Sequence, residues 1–234
     1  MIETKQEALK TAYRECLERC PGPLKCQRNG LIFAVDCFFL CPDFKIHEQM
    51  YRIQKQIDQY VPESLQHATL ENYVPQNESQ KRLVTISKRY LEKEAWSQGK
   101  GIIASGQPGT GKTHTMVAIY KQLIEKGVSV AFARPRPVGD YKDIEHYYKH
   151  LEKQDVLIYD DMGTELRKDF IMDMLYVLFD KRLSSNKSVM ITTNMTHNTF
   201  AQRVGKRIHS RFMEKNFFLE IEGEDYRQQK RALF

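Results

Sequence analysis

Apolar residues recur at three- and four-residue spacing near the start of the chain. Ala8, Leu9, Ala12, Tyr13, Cys16, Leu17 and Cys20 mark one face of a helix over residues 4–20. Pro21-Gly22-Pro23 ends it, and residues 24–42 are short apolar pieces between cysteines. From Phe44 to Tyr60 the sequence is polar, with Ile46, Met50, Ile53 and Ile57 as sparse marks of a helix and connector, and Pro62 to Asn77 reads as an extended linker. The pattern changes at residue 79. A helical stretch runs to Trp96, and Gly101-Ile102-Ile103-Ala104-Ser105 then predicts a buried strand. A glycine-rich loop leads into a helix from Lys112 to Lys126. Further strands are predicted at Val128–Ala133, Val156–Tyr159, Val189–Thr193 and Phe217–Ile221, with helices at Asp140–Leu151 and Arg167–Ser184. Strands alternating with helices imply an α/β fold with a mainly parallel five-stranded sheet covered on both faces.

Composition narrows this picture. With 234 residues, 41% hydrophobic and 28% charged, the chain can build one ordinary core plus a small appendage, and it is not a disordered polymer. No apolar run approaches the roughly 20 residues of a membrane span, and MIETKQEALK has no signal-peptide core. A cytoplasmic protein with no membrane partner is expected. The net charge of +6 permits contact with nucleic acid without demanding it, and no polybasic arm gathers it.

All five cysteines, Cys16, Cys20, Cys26, Cys37 and Cys41, fall in the first 41 residues. An odd count without a secretion signal argues against a disulfide scaffold, and so short a segment needs a supplement to its core. Zn²⁺ held by Cys20, Cys26, Cys37 and Cys41 is the preferred reading, with His47 the nearest histidine and an alternative fourth ligand. The plainer reading is that Cys16 and Cys20 pack as small hydrophobes on the helix.

Chemistry concentrates further on. Gly106-Gln107-Pro108-Gly109-Thr110-Gly111-Lys112-Thr113 fits the P-loop pattern between a predicted strand and helix. Glycines let backbone N–H groups close around phosphate, Lys112 reaches the β- and γ-phosphates, and Thr113 ligates Mg²⁺. Val156-Leu157-Ile158-Tyr159-Asp160-Asp161 is an apolar strand ending in paired acids. Asp160 is the metal-side residue, and Asp161 is the candidate base that polarises water. Aspartate there is shorter than the more usual glutamate, so slow turnover is expected. Asn194 ends Val189-Met190-Ile191-Thr192-Thr193 and is placed to orient the attacking water. Arg207 and Arg211 lie four apart on one helical face, either as a solvated basic face or as an arginine finger for a neighbouring subunit. Tyr226-Arg227 follows the final strand, and Arg227 either covers the phosphates of its own site or begins a basic tail. Arg134, Arg136, Tyr141, Lys142, Tyr147, Tyr148 and Lys149 interleave basic and aromatic side chains as single-stranded nucleic acid would suit, although loop and core roles fit most of them better.

GQPGTGKT, VLIYDDMGTE, VMITTN, RIHSRF and EDYR, in this order, resemble the AAA+ ATPases of the replicative helicase-loader family of the DnaC/DnaI type, close to the IstB transposition ATPases. The resemblance runs from about residue 60 to the end, where no separate helical lid is visible. It implies an AAA+ core with ATP/ADP and Mg²⁺ at Lys112, Thr113, Asp160 and Asp161, Asn194 as sensor 1, Arg211 as a trans-acting finger and Arg227 as sensor 2. It also implies a replicative DNA helicase as partner, single-stranded DNA as the place of loading, and self-association through the AAA+ domain. The cysteine segment is nearer the DnaI type, whose zinc domain grips the helicase, but its spacings match no standard pair of knuckles. Its divergence and the small size of the chain would suit a phage-encoded version. The expected organisation is a small α-rich zinc domain at 1–50, a linker at 51–78 and the ATPase at 79–234. Two other readings share the motifs: a transposition ATPase forming filaments on DNA, and a binding module that holds nucleotide without hydrolysing it.

Overall fold

A computed structural model describes residues 59–135, 141–165 and 169–226, the strands at 31–34 and 37–40, and residues 15, 53, 56 and 57. The chain divides into two compact units, Met1–Gln59 and Tyr60–Phe234. In the first, β1 (Leu31–Ala34) and β2 (Cys37–Leu40) pair antiparallel, Leu31 opposite Leu40 and Ala34 opposite Cys37. The apolar pieces between the cysteines therefore form a hairpin that their pattern did not reveal. Of the helix expected over 4–20 only Glu15 is described, and it is helical; Cys20, Cys26, Cys41 and His47 lie outside the described residues.

The second unit is built on α1 (Glu78–Glu92), β3 (Gly101–Gly106), α2 (Lys112–Glu125), β4 (Val130–Ala133), α3 (Tyr141–Lys153), β5 (Val156–Met162), α4 (Asp169–Ser184), β6 (Ser188–Thr193), α5 (His197–Lys215) and β7 (Asn216–Ile221). Its five strands lie in the order β4-β5-β6-β3-β7, and every pair is parallel. The strands read as continuous apolar runs because both faces are covered. Ile103, Ala131, Leu157, Tyr159, Val189 and Ile191 pack with α3, α4 and α5 in one core. By the two-residue period of a strand, Ile102, Ala104, Phe132, Ile158 and Met190, also buried, face the other side, where α2 meets the sheet and Tyr120 packs edge-on to Phe132. Among the described residues no helix is long and apolar enough to cross a membrane.

Helix α1 starts at Asn77, whose side chain accepts from the Gln80 N–H. Helix α5 is kinked at Gly205, where φ 78° and ψ 154° form a conformation that only glycine adopts readily. Leaving β3, the chain runs through α2 to the far edge strand β4, while β7 closes on the opposite side of β3. A parallel sheet opens a crevice at the C-terminal ends of its strands where the order reverses, and the glycine-rich loop after β3 lies there.

Candidate functional site

The loop from Gly106 to Thr113 is already folded as a cradle. The Lys112 ammonium donates to the Gly106 and Gln107 carbonyls at 2.7 Å each and to Asn194 Oδ1 at 3.1 Å. Thr110 is buried and its hydroxyl donates to the Gln107 carbonyl at 2.8 Å, while Gln107 and Pro108 are exposed at the loop tip. Gly111 takes φ 88°, and a side chain there would overlap the ring of Tyr73. Tyr73 donates its hydroxyl to the Thr110 carbonyl at 2.9 Å, and burial raises its pKa to about 12, so the proton stays available for that bond. From the other end of the unit, the Tyr226 N–H donates to the Gly109 carbonyl at 3.3 Å. Two segments remote in sequence thus hold the loop.

Beside this cradle, Thr113 donates to Asp160 Oδ1 at 2.9 Å, and Thr192 donates to the same oxygen at 2.7 Å. Arg134 donates to Asp160 Oδ2 through Nε at 2.9 Å and pairs with it through Nη2 at 2.8 Å. The Asp160 side chain is only 2% exposed, so its charge depends on these partners. A carboxylate and a hydroxyl this close at the mouth of a phosphate-binding loop are hard oxygen donors, the set that suits Mg²⁺, which takes few protein ligands and completes its shell with water and phosphate. Among the described residues no group of three or more His, Cys, Asp and Glu gathers as a metal cage.

The neighbouring acid is held differently. The register of β5 on β6 shifts between Tyr159 and Met162, and Asp161 sits in that irregularity at φ 65°, exposed, its N–H donating to Thr192 Oγ1 at 2.8 Å. Asp160 therefore points inward to its hydroxyl partners while Asp161 faces solvent. Thr192 ties both residues to β6, two residues before Asn194. Position 161 is one of the few non-glycine positions with positive φ, a region that aspartate tolerates better than most residues.

Lys112, Thr113, Asp160 and Asn194 come together as the motifs imply. Arg211 lies elsewhere, on α5, donating to Asp180 Oδ1 and to Ser184 Oγ at 2.6 Å each, with Arg207 on the other oxygen of Asp180 at 3.5 Å. Arg227 lies outside the described residues, although Tyr226 brings the chain to the loop. Of the residues weighed for single-stranded nucleic acid, Arg134 is paired with Asp160, Tyr148 is buried in the core, Tyr147 packs against that core and Lys149 pairs with Glu145 at 2.8 Å. Arg136 and the side chains of Tyr141 and Lys142 lie outside the described residues. The motifs did not reveal Tyr73 or Arg134. A signal for Arg134 existed: VAFAR and VLIYD are strands ending in opposite charges, and their pairing sets Ala133 beside Tyr159, one residue before each.

The family model described as IstB-like ATP binding protein matches residues 47–233. The chain belongs to the IstB-like ATP-binding family. Among curated relatives, this family member is 28% identical over 183 residues, 74% of each chain, to the replicative helicase loader DnaC of Buchnera aphidicola subsp. Schizaphis graminum. It is 26% identical over 155 residues to DnaC of Escherichia coli strain K12, covering 62% of this chain and 63% of that one. Among solved structures, the DnaC helicase loader aligns with TM-score 0.57 and 27% identity over 69% of this chain and all of that chain. DnaI shares the fold, with TM-score 0.58 at 20% identity over 71% of this chain and 94% of that chain. DnaA from Aquifex aeolicus does so at 0.54 and 22% over 71% of this chain and 54% of that chain. The IstB-like core is thus an AAA+ α/β domain of the DnaC type.

Proposed function

We propose that this IstB-like chain is an ATP-dependent loader that binds a hexameric replicative DNA helicase and helps place it on single-stranded DNA. The observation that carries the nucleotide half of this reading is the convergence on one crevice of Lys112, Asn194 and the Thr113–Asp160 pair. The similarity to DnaC supports the helicase half.

In this reading the backbone N–H groups of Gly109 to Thr113, at the start of α2, take the phosphates. Lys112 exchanges loop carbonyls for β- and γ-phosphate oxygens while keeping Asn194 in reach. Thr113 and Asp160 hold Mg²⁺, which when bound neutralises phosphate charge. Asp161 is the candidate base, and Asn194 orients the attacking water. Arg227 serves as sensor 2. Arg211, whose described partners are all on α4, acts on the nucleotide of an adjacent subunit rather than its own. Residues 1 to about 50 bind zinc through Cys20, Cys26, Cys41 and either Cys37 or His47, and grip the helicase.

Two experiments test the halves separately. Lys112→Ala removes the ammonium aimed at the β/γ-phosphates and should abolish tight ATP binding; unchanged affinity in a nucleotide titration would overturn the site. Co-purification with a replicative helicase, with the mass of the complex measured, tests the partner, and failure of a correctly folded chain to bind would remove the loader reading. The exposed, positive-φ position of Asp161 favours a second reading, a nucleotide-bound module that does not hydrolyse. A single-turnover ATP assay in assembled protein decides between them.

A further inference from the structure

The mouth of the nucleotide crevice holds a cation that the P-loop motifs do not supply. Arg134 follows β4, the edge strand beside β5, and the pairing of Ala133 with Tyr159 brings it level with Asp160. Two guanidinium nitrogens converge on Asp160 Oδ2 at 2.8 and 2.9 Å, and the guanidinium carbon lies 5.6 Å from the centre of the Phe132 ring, which steadies it. The other carboxylate oxygen is taken by Thr113 and Thr192. Every contact of the buried carboxylate is thus filled from within the chain, and one of them is a full positive charge. Arg134 is 38% exposed against 2% for Asp160, so the arginine can leave toward solvent while the carboxylate cannot follow.

We propose that Arg134 is a built-in counter-cation of the magnesium pocket: it neutralises Asp160 in the nucleotide-free chain and yields the carboxylate to the metal, so that it sets how much Mg²⁺ nucleotide binding requires. The physical case is competition for one anion. A buried carboxylate without a cation carries a large desolvation cost, which Arg134 offsets when nucleotide is absent. The same charge within 3 Å of Asp160 opposes the arrival of a divalent cation at that group. Arg134 is a positioning residue here, acting through Asp160. The inference rests on the reading of this crevice as an ATP–Mg²⁺ site.

The test compares wild type, Arg134→Gln and Arg134→Lys. A fluorescent ATP analogue at fixed concentration is titrated with MgCl₂, and thermal unfolding is followed with MgCl₂ alone. Arg134→Gln should reach half-maximal nucleotide binding at a Mg²⁺ concentration lower by about tenfold or more, because the competing charge is gone. Mg²⁺ alone should raise the melting temperature of Arg134→Gln saturably and leave that of wild type nearly unchanged. Lysine keeps the charge but loses the paired contact, so its requirement should fall between the two; should the glutamine variant fail to fold, the lysine variant carries the test. A lower melting temperature with an unchanged Mg²⁺ midpoint would make Arg134 merely structural and overturn the inference. A loss of ATP affinity relative to ADP at saturating Mg²⁺ would assign it to the γ-phosphate and overturn it as well. Wild type that binds no nucleotide at any Mg²⁺ concentration would instead remove the ATP-site reading, and the Mg²⁺-only melting comparison would still judge the Arg134–Asp160 competition.

Discussion

Arg182 shows how much one side chain can organise. It is fully buried in α4 and its guanidinium donates to the carbonyls of Leu151, Gln154, Asp155 and Ser188 at 2.7–3.0 Å, with Glu152 at 3.3 Å. These are orphan carbonyls at the end of α3 and along the turn into β5, joined to the start of β6. Burial lowers its pKa to about 10, so it stays charged at neutral pH. Arg182→Ala leaves those carbonyls dry and unpaired, and should cost about 3 kcal/mol or more of unfolding free energy, read as a fall in the urea midpoint. No sequence pattern announces this residue, because a charged side chain beside Leu183 and Phe179 in an amphipathic helix is ordinarily assigned to the solvent face. The P-loop residues are the opposite case. Gly111, Lys112 and Thr113 are legible because phosphate chemistry fixes both residue type and spacing. Arg134 depends on which strand neighbours which, information held in the topology.

At the scale of elements, the segment before α1 behaves as a cover with its own acid sensitivity. His114, on α2, donates Nε2–H to the Thr69 carbonyl at 2.9 Å and Asn72 Oδ1 at 3.0 Å, and lies edge-on to the Tyr73 ring. Burial lowers its pKa, as do the neighbouring charges of His67 and Lys121, while the Thr69 contact works against them. The folded state therefore prefers neutral imidazole, and the opened segment takes the proton first. The contribution of this contact is fully present above pH about 6.5 and is lost as pH falls below it. Protection factors of the amides at residues 66–76, with the intrinsic pH dependence of exchange divided out, should fall at pH 5.5 relative to pH 7.5 while those of β3 and β6 do not; equal protection at both values would contradict this. Most strands and helices of the unit were legible because apolar runs and helical stripes are direct consequences of burial. Helix α5 is hard to read from the sequence, although Phe200, Val204, Ile208 and Phe212 are its buried stripe, because Gly205 interrupts it. The β1–β2 hairpin escaped because two short apolar runs carry no alternation.

For the whole molecule, the proposed role of Arg211 as a finger for an adjacent subunit makes a quantitative prediction about assembly. A supplied finger can be worth ~10³–10⁵ in rate. Mixing Arg211→Ala chains with Lys112→Ala chains should restore ATPase activity that neither has alone, since one keeps the nucleotide site and the other the finger. A mixture as inactive as its parts, or Arg211→Ala at the wild-type rate, would place the finger elsewhere, with Arg207 next to examine. Elemental analysis should find about one zinc per chain. Chelation should end helicase binding and spare nucleotide binding, because the cysteines and the P-loop lie in different units of the chain. Metal-free protein with five titratable thiols would refute the zinc site. The double hold on the glycine loop, by Tyr73 and by the backbone at Tyr226, has a consequence in time. During synthesis the loop and α2 are made near the middle of the chain, yet their second brace comes only after β7. A nascent chain cannot complete its phosphate cradle until more than a hundred further residues have left the ribosome. A chain cut just before Tyr226 should therefore hold nucleotide more loosely than the whole one, although residues 106–113 are intact in both.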